Sequence, residues 1–220
     1  MASGWRVLQL ADSGFPTGGF AHSGGLEAAV QAGEVRGADG VRRFVEALVW
    51  QAGLGALPLV GAAWHQPGSV PALDARADAF LANHVANRAS RTQGRAFLDT
   101  CARIFPEAVG PVRESARAAS VRFHHAPVSG AVLRALEVEH EDALRLFLSL
   151  TLRGALSAGV RMGVIGTHES HQVQHAATPL LGAVLEQCKA LSVDDLAQPA
   201  PLWDLVGATH DRLYSRLFLS

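Results

Sequence analysis

The chain has 220 residues, 49% of them apolar and 18% charged, with a formal net charge of −1 and an isoelectric point near 6.8. That composition suits one globular domain with a real hydrophobic core and excludes a disordered or low-complexity chain. Near-neutral charge gives no general attraction to nucleic acid or to an anionic membrane, so neither is expected as a partner.

In chain order, residues 5 to 12 read as a short helix, and a glycine-rich loop follows from Ser13 to Gly25. Leu26 to Ala32 reads as helix, with Gly33 as its C-terminal stop. Asp39 is placed to cap the next helix, whose Val41, Phe44, Val45, Leu48, Val49 and Ala52 recur at helical spacing. Pro58 should kink or end it, and Gln66 to Ser69 is a turn. Ala72 to Ile104 is helical by pattern, and Pro106 marks its end. His125-Ala126-Pro127 favours extended backbone, after which a helix can run from Ser129 to Glu137.

Glu141 to Arg161 is long and apolar on most sides, which predicts the most buried helix. Its apolar stretch, Leu144 to Ile165, carries Arg145, Arg153 and Arg161, and three arginines at bilayer depth would be very costly. Met1 to Arg6 begins no signal peptide, so a cytoplasmic protein is expected. Gly163 and Gly166 bracket a break. Glu169 to Leu191 can form another helix interrupted at Pro179. Asp194 to Pro201 is a polar linker, and Leu202 to Tyr214 a last helix before a short tail. The expectation is a single all-α domain over residues 1–220, with seven to ten helices and a tail, 210–220, able to order on a partner.

Three constellations could carry chemistry. The loop Pro16 to Glu27 is glycine-rich ahead of a helix, as a phosphate cradle would be. It lacks the Lys-Ser/Thr ending of a P-loop and the spacing of a dinucleotide site, so a tight connection with Ser23 as helix cap is the better reading. His168, His171 and His175 share one helical face and could meet nickel or zinc, although exposed surface histidines explain them more simply. His124 and His125 point apart in any regular structure. The tail gathers Tyr214, Arg216, Leu217 and Phe218, residue types of binding hot spots and of frayed helices alike. No nucleophile–base pair is apparent. The acidic group Glu137, Glu139, Glu141 and Asp142 suits a helix N-terminus. Cys101 and Cys188 read as reduced, half-buried thiols.

The ordered set of short motifs closely resembles the UreF family. Leu8 to Ser13, followed by Pro16-x-Gly18-x-Phe20-x-x-Ser23-x-Gly25-Leu26-Glu27, resembles its N-terminal signature. Ser90-Arg91-Thr92-Gln93-Gly94, His125-x-Pro127-x-x-Gly130 and Arg161-Met162-Gly163-x-x-Gly166 follow in the family's order. Tyr214-Ser215-Arg216-Leu217-Phe218-x-Ser220 resembles its ending.

This resemblance implies an all-α, homodimeric, cytoplasmic accessory protein for urease maturation, with no enzymatic activity and no cofactor. Its implied partners are UreD (also called UreH), the nickel-carrying GTPase UreG and then apo-urease. Carried over position by position, the partner-binding residues are Phe20, His22, Ser23, Glu27, His210, Tyr214, Arg216, Leu217, Phe218 and Ser220. Phe20 and Arg216 are implied to support each other by cation–π contact. The alternative is a metallochaperone binding nickel through His168, His171 and His175.

Overall fold

The computed structural model describes residues 2–220, and among them every regular element is helical. The α-helices are α1 (Ala2–Ala11), α2 (Leu26–Gln31), α3 (Gly37–Gly55), α4 (Leu57–His65), α5 (Val70–Phe80), α6 (His84–Ile104), α7 (Pro106–Ala118), α8 (His125–Ala135), α9 (His140–Arg161), α10 (Thr167–Ala176), α11 (Thr178–Cys188) and α12 (Pro201–Ala208). Short 3-10 turns link several of them.

The centre is α9, and α1, α2, α3, α4, α8, α10 and α11 all pack on it. Leu144, Leu148, Leu152 and Leu156 stack along one side at i, i+4 spacing and are 2% exposed or less. Glu141 and Asp142 open this helix and Arg161 closes it, as the helix dipole favours. Over half of the apolar windows in Gly37–His65 and His140–Arg161, both apolar and long enough for a span, lies in this core.

Helices α4 and α8 pack extensively and closely on each other. Gly130 makes this possible, because a Cβ there would lie 2.2 Å from the Val60 carbonyl oxygen. The H-x-P-x-x-G pattern is therefore a packing device: Pro127 sits in the first turn of α8, and Gly130 admits α4.

Several expected boundaries move. Asp39 is no cap: α3 starts at Gly37, and Asp39, inside its first turn, accepts a bond from Arg42. The stretch read as one helix from 72 to 104 divides at Leu81–Asn83, where Asn83 accepts from the amides of Val85 and Ala86 and starts α6. Helix α8 begins at His125, four residues before the expected start, and ends at Ala135. Helix α7, unforeseen, takes Pro106 in its first turn and tolerates Pro111 inside. The last helix stops at Ala208, and a 3-10 turn at Thr209–Arg212 leads into irregular chain. Both cysteines are free and fully buried rather than half-buried, and burial pushes the Cys101 thiol up to about 12.

Candidate partner-docking surface

The glycine-rich loop and the tail, remote in sequence, lie against each other. The loop turns back on itself through Gly18, Gly24 and Gly25, whose φ values of 78°, 65° and 92° side chains rarely adopt. This delivers Glu27, in the first turn of α2, into the interior at 3% exposure.

A carboxylate so placed is tolerated only with donors around it. Three come from the C-terminal region. The Leu217 amide donates to Oε1 at 2.6 Å, the Phe218 amide to Oε2 at 3.2 Å, and His210 Nε2 lies 2.9 Å from Oε2. His210 is itself fully buried. Because a carboxylate faces Nε2, that nitrogen carries the proton.

A second row of bonds extends the junction. The Ser23 amide and hydroxyl both donate to the Ser220 carbonyl, at 2.7 and 3.0 Å, and the Leu219 amide donates to the Ala21 carbonyl at 2.8 Å. His22 Nδ1 meets the Ser220 hydroxyl at 2.6 Å. Burial, aided by Arg88 and His210, holds His22 down to about 4, so it is neutral at physiological pH. Ser23 Oγ also accepts the Glu27 amide, as a cap would, although Gly25 is the first flanking residue of α2. Buried and already bonded, Ser23 is no free nucleophile.

Above this polar layer sits an aromatic clamp. The Arg161 guanidinium lies 3.6 Å from the centroid of Phe20 and 4.4 Å from that of Phe218, and it donates to the Phe20 carbonyl. The expected pairing of Phe20 with Arg216 is corrected: Arg216 points to Asp211, at 3.4 Å. Asp211 is chiefly held by a two-pronged bond from Arg88, with His84 at 3.2 Å, and Arg88 draws its carboxyl down to about 2.

What remains outward is apolar. Phe20, Tyr214, Leu217 and Leu219 are 70%, 104%, 54% and 63% exposed, while Phe218 and Ser220 are buried. Of the ten residues expected here, His22, Ser23, Glu27, His210, Phe218 and Ser220 thus build the junction, and Phe20, Tyr214, Arg216 and Leu217 face solvent. Arg161, Arg88 and Asp211 were not foreseen. Arg161 left a trace only as the basic residue closing α9 and opening the Arg161-Met162-Gly163 motif.

The histidines of α10 are not gathered: His168, His171 and His175 are exposed, and among the described residues no group of three His, Cys, Asp or Glu is placed to hold a metal ion. His124 and His125 do diverge. His124 sits between Ser90 and Asp78, whereas His125 packs between Phe97 and Phe147 and is pushed down to about 4 by burial.

Fold and junction together define an all-α protein in which segments 190 residues apart close over one buried carboxylate. The UreF family model matches residues 35–178, the helical body. Urease accessory protein F of Arabidopsis thaliana is 35% identical over 227 residues, covering 98% of this chain and 92% of its own length. That of Oryza sativa subsp. indica is 34% identical over 219 residues, covering 97% and 84%. Urease accessory protein UreF of Mesorhizobium japonicum is 30% identical over 219 residues, covering 98% and 95%. The chain belongs to the UreF family of urease accessory proteins, and that membership gives it a role in urease maturation.

Proposed function

We propose that the chain is a non-enzymatic scaffold that joins UreD/UreH to the GTPase UreG while nickel is inserted into apo-urease. It would act in the cytoplasm as a homodimer, through the loop–tail surface. One observation carries this reading: Phe20, Tyr214, Leu217 and Leu219 stand exposed on a base fixed by Glu27. Exposed aromatic and leucine side chains on a rigid base are what a partner's pocket takes up at low entropic cost. Glu27 and Arg161 fix the surface, Arg88 and Asp211 hold its edge, and no step of bond-making is required of any of them.

The test is co-purification of the chain with UreD and UreG, followed by size-exclusion chromatography with mass determination. A ternary species holding two copies of this chain supports the proposal. Separate elution of well-folded components contradicts it. Point variants probe the surface better than deletion of the tail, which would strand Glu27 without its donors.

A further inference from the structure

We propose that a second contact surface lies in the groove between α6 and the turn at Ala119–His124, and that it takes a carboxylate-rich segment of a protein partner. This goes beyond the loop–tail reading and does not depend on which protein binds there.

Arg91 and Arg95 stand one helical turn apart on α6, and Arg122 borders the same groove from the turn. The one acidic residue in the lining, Asp99, is already paired with Arg117 at 2.9 Å. Among the described residues Arg91 and Arg95 have no carboxylate within ion-pair distance, and Arg122, which meets Asp78 at 3.2 Å, keeps 60% of its side chain exposed. A chain of net charge −1 thus concentrates three guanidinium groups in one place.

The groove is built rather than incidental. Phe123 adopts φ 69°, a left-handed conformation that side chains rarely take and that persists only where neighbours enforce it. The enforcing residues are Asp74, buried at 2% exposure, which accepts the amides of Arg122 and His124 at 2.5 and 2.7 Å, and Ser90, which accepts that of His125. Gly94 lets α6 approach, since a Cβ there would lie 2.0 Å from the Phe123 carbonyl oxygen.

The result is a fixed ring under Arg95, whose guanidinium lies 4.5 Å from the Phe123 centroid. Stacking holds the guanidinium plane and leaves its N–H edges free to fork onto a carboxylate. Ala96 lines the groove and also meets the loop, where a Cβ on Gly18 would come within 2.8 Å of it. The groove therefore adjoins the loop.

The test uses a fluorescein-labelled octaglutamate peptide and the full chain, read by fluorescence anisotropy at low and raised salt. Salt-sensitive binding should weaken about tenfold or more in the Arg91→Gln/Arg95→Gln variant. It should be unchanged in Arg36→Gln/Arg43→Gln, a pair of exposed arginines elsewhere. Arg95→Lys keeps the charge but not the fork and should bind more weakly than the parent chain. No binding, or equal binding by the parent and the Arg91→Gln/Arg95→Gln variant, overturns the proposal. So does tighter binding of inorganic pyrophosphate at the same arginines, which would mark a small-anion site. Circular dichroism on each variant separates lost binding from lost fold.

Discussion

The body around α9 and the loop–tail junction are held by different physics. Around α9, apolar side chains fill space against one another, and stability follows from apolar area removed from water. At the junction, one carboxylate is surrounded by donors that come almost entirely from the far end of the chain. Apolar packing degrades gradually when one group is trimmed. A buried polar network fails steeply, because each missing partner leaves a desolvated group behind. The body is therefore a tolerant platform, and the junction is a polar contact on which the outward surface is built.

The largest expected effect comes from breaking the second kind of order. Glu27→Ala leaves the buried His210 and Phe218 amide, and the part-buried Leu217 amide, without their acceptor, and should cost about 3–5 kcal/mol in urea unfolding. The same variant should expose the Leu217 and Phe218 amides to fast hydrogen exchange. Leu148→Ala should cost about 2–5 kcal/mol by opening a cavity against α9. It should do so while those two amides keep their protection relative to global unfolding. If both variants deprotect the tail equally, the two regions are one cooperative unit and the contrast fails.

Acid sharpens the comparison next. His22, at the junction, and His125, against the body, are both held to about 4, below the ordinary 6.5. Between those values the unfolded chain binds protons that the folded chain does not, so stability falls as pH drops through this window and the contribution is gone below about 4. A loss of about 2 kcal/mol per histidine is expected after allowance for screening. His22→Gln should remove its share of the slope in unfolding measured across that range, and an unchanged slope would contradict the assignment. The smallest effect belongs to Asp211→Asn, which loosens an exposed pair with Arg88 and should change stability by only about 0.5–1 kcal/mol.

The helical body was largely legible because its signals are local. The leucine spacing of α9 and the breaks at Pro58, Gly163 and Pro179 can be read within a few residues. Helix α7 was hidden because Pro106, Gly110 and Pro111 argue locally against a helix that packing against α6 and α8 secures. The division at Asn83 was missed because a cap inside a long helical pattern reads as one more polar position.

The junction was legible only through resemblance. Nothing near Glu27 says that its donors lie at Leu217 and Phe218, and nothing near Phe20 points to Arg161, 141 residues away. Resemblance also misassigned one contact, placing Arg216 where the structure has Arg161. Asp74 escaped notice because a carboxylate on a helix ordinarily faces water, whereas this one serves two backbone amides of a strained turn.

The most direct test of the central claim, that the loop–tail junction presents a docking surface, is the mass of the assembly formed with UreD and UreG by the double variant Tyr214→Ala/Leu217→Ala. Both side chains are exposed, so stability should stay within about 0.5 kcal/mol of the parent chain. The account predicts a folded variant that no longer enters the ternary species. A ternary species of full mass and full yield from the same variant would contradict it.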